Sequence, residues 1–291
     1  MLTSSFSNKP YWLQFCYLLF FIAGGLTIFS SFAIFVGKFC LALNTNFRWN
    51  IYVIQSISSF GLFFVPAIFF SYCATKELFS YSRAKQTVPF LLIGYVVVLS
   101  ILLLPLIVFL GYYNEQIVLP EFMKNIEVWM RTMEDSNKII AQKLTANSNA
   151  PVLMLNIFFM ALLPAMFEEF LFRGTLQPFF TKWFANKHLA ITFTAFIFST
   201  IHFQFYGFIP RILLGIYLGY LLVWGKSLWL PIVAHFLHNA VSLILDFFAQ
   251  QQGIDLEAIE PKEIEYFYPA VLFCSICVTL GIYWIWKKSK V

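Results

Sequence analysis

Charge is what this sequence has least of: 11% of its 291 residues are Asp, Glu, Lys or Arg, against 60% hydrophobic. A soluble domain usually carries about 25% charged residues. The deficit argues against a water-exposed surface over most of the chain and points to a bilayer as solvent. A basic stripe with interleaved aromatics is also missing, so the formal charge of +5 does not indicate nucleic acid as a partner. No internal repeat is visible, which withholds support from a transporter built of inverted repeats. Cysteines are few: Cys16, Cys40, Cys73, Cys274 and Cys277, all in or near apolar runs. Cys274 and Cys277 form a CxxC, but without the βαβ context of redox motifs, and they read as small apolar helix residues. The first apolar run is too long for a signal-peptide core and lacks a clear cleavage site, so it reads as a retained span.

What is present is a series of apolar runs at about 11–36, 51–73, 89–112, 151–178, 188–206, 209–225, 228–248 and 267–286. They predict an all-α, polytopic transmembrane helical bundle of about eight spans of ~20 residues. Basic residues gather on alternate connections: Lys76, Arg83 and Lys85 after the second run, Lys182–Lys187, Lys226, and Lys287, Lys288 and Lys290 at the end. The Gln250–Tyr266 connection is acidic, with Asp255, Glu257, Glu260, Glu263 and Glu265 against Lys262. This asymmetry places both termini in the cytoplasm. The Asn44–Asn50 connection, with Arg48, is a mild exception. Four regions follow: N-terminal helices over 1–113, a polar connection over 114–150, a helical core over 151–248, and an acidic loop with a last helix over 249–291. Within the connection, Phe122, Ile126, Trp129, Met130 and Met133 recur at helical spacing. This predicts an amphipathic helix, either lying on the outer leaflet or acting as a lid over a cavity in the following bundle.

The chemistry-bearing residues are ionisable groups inside apolar runs. Glu168, Glu169 and Arg173 occur in the fourth run, where each centred charge costs roughly 2.5–3.5 kcal/mol to insert. Such residues face protein or a water-filled interior. Glu169 and Arg173 are four apart and share a face, which allows an internal ion pair. Glu168 is turned about 100° away around the helix, and is free to point at something else. A carboxylate in a low-dielectric cavity can then exchange protons near neutral pH. His202 ends the fifth run, and His235, His238 and Asn239 share a region of the seventh. Each has a structural alternative. A lone buried histidine can be a satisfied core residue, His238 can bond across helices, and the Glu169–Arg173 pair can simply lock two helices. Taken together, these groups are better explained by convergence on one site than by separately tolerated insertion costs. Glu168 and His202 reach one depth only if the fourth helix runs on to about Phe184 or tilts strongly.

Glu168-Glu169-x-x-x-Arg173, Phe198-x-x-x-His202 and His235-x-x-x-Asn239, in that order, resemble the CPBP family of CAAX-protease and bacteriocin-processing intramembrane proteins. Arg173-Gly174-Thr-Leu-Gln177, Arg211-Ile-Leu-Leu-Gly215-Ile-Tyr-Leu-Gly219 and Ser227–His235 are similar to it as well. The resemblance covers about Leu155–Ser242. It implies a helical bundle around a cavity, and an endopeptidase that cleaves a membrane-embedded or lipidated peptide. By that resemblance Glu168 activates the attacking water, His202 acts with it, and His235 and Asn239 stabilise the oxyanion. Glu169 completes the catalytic set and Arg173 supports it. Zinc or another divalent metal, on Glu168, His202 and His235, is implied by the resemblance alone, since no HExxH is present. Gly215 and Gly219 form a small-xxx-small face for close helix approach. The basic turns suggest a plasma or inner membrane. Two rivals remain open: a non-catalytic immunity or interaction scaffold with the same bundle, and a proton-coupled transporter that uses Glu168 and His202 as a relay.

Overall fold

The computed structural model describes residues 6–42, 46–77, 79, 81–146, 149–256 and 259–289. Asn44, Glu257 and Lys290, which figure in the charge pattern of the connections, lie outside the described residues, as does the side chain of Lys288. The fold is all-α. Its helices are α1 (Tyr11–Ala42), α2 (Phe47–Thr75), α3 (Phe90–Glu115), α4 (Lys124–Thr145), α5 (Ala150–Phe184), α6 (Lys187–Thr200), α7 (Phe208–Gly225), α8 (Trp229–Gln251) and α9 (Phe267–Ser289). Among the described residues, seven helical segments are long and apolar enough to cross a membrane. The chain is a polytopic integral membrane protein. Side chains such as Phe20, Phe35, Phe90 and Leu91 point outward from the bundle, as lipid-facing residues must. None of the five cysteines forms a disulfide among the described residues.

The run expected at 188–206 gives α6, whose 14 residues extend only about 21 Å at 1.5 Å per residue. It starts on Asn186, whose side chain accepts from the amides of His188 and Leu189. It ends where the amides of His202 and Phe203 turn back to the carbonyls of Ser199 and Thr200. Phe203 then takes a positive φ of 51°, which breaks the helix. The expectation of about eight spans thus resolves into seven long segments and this shorter helix.

α5 is the longest apolar helix, 35 residues that continue to Phe184. That length settles the depth question. Ala185 adopts a left-handed conformation, and the chain returns at once as α6. Glu168 lies sixteen positions before Phe184 and His202 fifteen after Lys187, so the antiparallel hairpin brings them level. α5 is not uniform. It widens into π-helical turns at Ile157–Leu162 and Phe172–Leu176, and in the second Thr175 Oγ1 donates to the Phe170 carbonyl at 3.1 Å. Such turns rotate the face that follows and recur at functional sites.

Two buried clusters flank the middle of the bundle. One is rich in aromatics and joins α1, α2, α5 and α6 through Phe70, Phe172, Phe179, Phe180 and Phe198. The other is aliphatic and joins α3, α7, α8 and α9 through Val96, Leu103, Leu218, Leu221 and Val278. Lipid tails are as apolar as these side chains, so packing and interhelical hydrogen bonds must hold the halves together. Two glycines provide the contact. Arg173 donates to the carbonyl of Gly215 at 3.1 Å, and Gln177 to that of Gly219 at 2.9 Å. A methyl group at either glycine would lie 2.8 Å from Ala195 or Ile191 of α6. The small-xxx-small face therefore lets α7 sit close to α5 and α6.

α4 covers one end of the bundle. Its apolar stripe, including Ile126 and Trp129, faces outward together with Phe122 in the turn before it, as on a helix at a membrane surface. Lys138, Ala141, Gln142 and Thr145 face an internal cavity. Glu134 accepts from the amide of Tyr206 at 3.0 Å, and the Arg131 guanidinium lies 4.2 Å from the Tyr206 ring. The helix is thus tied to the turn that follows His202.

Candidate active site

The bundle holds an open cavity of about 840 Å³, lined by Glu168, His202, His235, His238 and Asn239, among others. These side chains come from α5, the turn after α6, and α8. Glu168 is buried, and its Oε2 has no hydrogen-bond partner among the described residues. That oxygen lies 3.7 Å from Nε2 of His202 and 3.9 Å from Nε2 of His235.

The far side of each imidazole fixes its tautomer. His202 Nδ1 is 2.6 Å from the Phe198 carbonyl oxygen, which can only accept. His202 must therefore carry its proton on Nδ1, and the neutral ring presents a lone pair at Nε2. His235 Nδ1 sits 2.9 Å from Glu169 Oε1. The same oxygen receives Arg173 at 2.7 Å, so Glu169 is an ionised acceptor and His235 donates to it. When both rings are neutral, three acceptor positions face one point: two imidazole nitrogens and a carboxylate oxygen. Such a set is repulsive until a proton, a water or a cation lies among its members.

Glu169 and Arg173 are fully buried and do not line the cavity. The pair predicted from their four-residue spacing forms, but behind His235 rather than beside the reacting atoms. Glu169 therefore positions His235. The Phe198 ring fills the space between these groups, 4.9 Å from the His202 ring, 5.7 Å from that of His235 and 4.5 Å from the Arg173 guanidinium. His188, the remaining histidine, bonds Tyr220 at 2.7 Å on an exposed face and takes no part.

Residues 150–241 match the family described as type II CAAX prenyl endopeptidase Rce1-like. The stretch carries that family's domain. The match contains Glu168, His202, His235 and Asn239, and so takes in the cavity walls contributed by α5, α6, α7 and the first half of α8. A 90-residue stretch is 34% identical to the "Uncharacterized protein YpbD" of Bacillus subtilis (strain 168). That stretch is 30% of this chain and 43% of the relative, so less than half of the relative is spanned. No solved structure matches the chain.

Gln204 and Arg211, which line the cavity from the turn and the start of α7, are not singled out as site members by the sequence; His238, grouped there with the converging histidines, lines the cavity one turn beyond His235. Arg211 could have been found by the argument that exposed Arg173, because an arginine in the apolar segment Phe205–Gly225 carries the same insertion cost.

Proposed function

We propose that this chain is an intramembrane endopeptidase in which Glu168 activates water against a peptide bond of a membrane-associated substrate. The observation that carries the reading is the unpartnered Oε2 of Glu168 between two imidazole Nε2 atoms at the wall of a cavity. A carboxylate so placed can take a proton from water as its oxygen attacks the carbonyl carbon. The proton then passes to the leaving amine nitrogen as the C–N bond breaks, and Glu168 is regenerated. His202 holds the water through its Nε2 lone pair. With its Nδ1 proton committed to Glu169, neutral His235 is also an acceptor at the site, so the Asn239 amide is the better N–H donor to the developing oxyanion.

The same donors suit a divalent cation, although no group of three His, Cys, Asp or Glu side chains is closed around a metal position among the described residues. Glu168 Oε2 and the two Nε2 atoms form a His₂Glu set, and each imidazole is oriented from behind by an oxygen acceptor, as metal-binding histidines are. A cation held there would lower the pKa of the attacking water.

The substrate would be a membrane-embedded or lipidated peptide. α4, with its polar residues on the cavity and its apolar stripe outward, would guide or cover it. Seven long segments and the short α6, taken as eight passes, would put both termini on one side of the membrane, and the basic connections favour the cytoplasmic side. The test is cleavage of a peptide library by purified wild type and Glu168→Gln in detergent, read by mass spectrometry with and without chelator. Cleavage by wild type alone supports the proposal, and chelator sensitivity assigns the metal. Equal cleavage by both proteins removes the hydrolase reading and leaves a scaffold.

A further inference from the structure

The cations near the site have carboxylate partners, with one exception. Arg173 holds Glu169, Arg131 holds Glu127 at 3.0 Å, and Lys138 holds Glu115 at 3.0 Å. Arg211 has no carboxylate within ion-pair distance among the described residues. It donates only to Gln204, through one terminal nitrogen to the backbone carbonyl at 3.1 Å and through the other to the side-chain oxygen at 2.5 Å. Gln204 is neutral, so it orients the guanidinium without neutralising it.

Nε of Arg211, the guanidinium nitrogen that donates to nothing among the described residues, is not sealed in protein. The buried, unpartnered nitrogens of the structure include Nε of Arg173 but none of Arg211, and Arg211 lines the same cavity as Glu168, His202 and His235. An oriented guanidinium fork with no carboxylate in ion-pair contact, Glu134 and Glu168 acting on it only from farther off, and facing a substrate-sized cavity, matches a carboxylate in both charge and shape.

We propose that Arg211 is a binding residue that anchors a carboxylate of the bound peptide, either its free C-terminus or an acidic side chain. This rests on the cavity being the peptide site proposed above. The anchor sets the register in which the chain lies across Glu168, and so selects which bond is presented to it. Gln204 positions Arg211 and does not touch the peptide.

Binding tests this without turnover. The full-length Glu168→Gln protein in detergent is titrated with three N-acylated apolar tetrapeptides: a free acid, its carboxamide, and a carboxamide with one glutamate. The free acid, the glutamate peptide or both should bind about ten- to a hundredfold tighter than the plain carboxamide, and which one does identifies the carboxylate. Adding Arg211→Gln should bring that ratio to about one, while Arg211→Lys keeps part of it. Equal affinity for all three peptides, no binding of any, or a ratio that survives Arg211→Gln overturns the proposal. So does an Arg211→Gln effect of equal size on every peptide, because that marks a packing role. Discrimination in a protein whose wild type cleaves nothing would sustain the anchor and defeat the endopeptidase reading. Cleavage without discrimination would do the reverse.

Discussion

His235 Nδ1 and Arg173 converge on one oxygen, Oε1 of Glu169, at 2.9 and 2.7 Å. The second carboxylate of the pair thus sets the tautomer of a histidine whose other nitrogen faces Glu168. Glu169→Gln should lower kcat by about ten- to a hundredfold, the usual scale for a group that orients a site imidazole. It also strands Arg173, a loss of about 3–5 kcal/mol for a broken buried pair. The double change Glu169→Gln with Arg173→Met should recover part of the melting temperature and none of the rate. Thermal unfolding and kcat, measured on the same preparations, separate the two effects.

Gly219→Ala and Gly215→Ala each introduce a methyl group 2.8 Å from α6 side-chain atoms. Overpacking of this kind costs about 1–3 kcal/mol. Because α6 delivers His202, both variants should lose activity together with stability. Gly94→Ala, where a methyl group meets nothing within 4 Å, should leave both unchanged.

Asn114 bridges the turn after His202. Its amide donates to the Phe205 carbonyl at 3.0 Å, and its side-chain oxygen accepts from the Ile209 amide at 2.8 Å. Asn114→Ala leaves both backbone groups without partners, at about 1–3 kcal/mol each if they stay dry. The expected result is a lower melting temperature and a reduced kcat, as the turn that holds His202 and Gln204 loosens.

α4 should respond to acid. The hydrogen bond from Arg131, aided by the charge of Lys124, holds Glu127 below its ordinary pKa of 4.5. A depressed folded-state pKa contributes stability that is complete above pH 4.5 and is lost as the pH falls through the folded value. Hydrogen-exchange protection along α4, taken relative to the intrinsic exchange rate at each pH, should therefore be high at pH 7 and fall below pH 4.5. Glu127→Gln should remove this pH dependence.

The sequence exposed the site because charge in a greasy helix is expensive, and that cost singled out Glu168, Glu169 and Arg173. It gave the order of helices, since their apolar runs are long and distinct. It gave the outward stripe of α4 by periodicity, but not which face met the cavity. Which carboxylate faced the cavity followed from their 100° separation, yet the service of Glu169 to His235 did not, because that contact joins residues 66 apart. The tautomers of His202 and His235 depend on the Phe198 carbonyl and on Glu169, and pattern cannot supply such contacts. The π-helical turns of α5 carry no marker in an apolar run. The shortness of α6 was hidden because Phe203, Phe205 and Phe208 continue the greasy composition through its turn.

Glu168→Gln measures the central claim most directly. Oε2 of Glu168 has no hydrogen-bond partner to lose, so the variant should keep the wild-type melting temperature. Its rate on the best library peptide should fall by at least about a hundredfold, as expected when a general base is removed. A variant that melts like wild type and cleaves like wild type would contradict the assignment of Glu168 as the group that activates water.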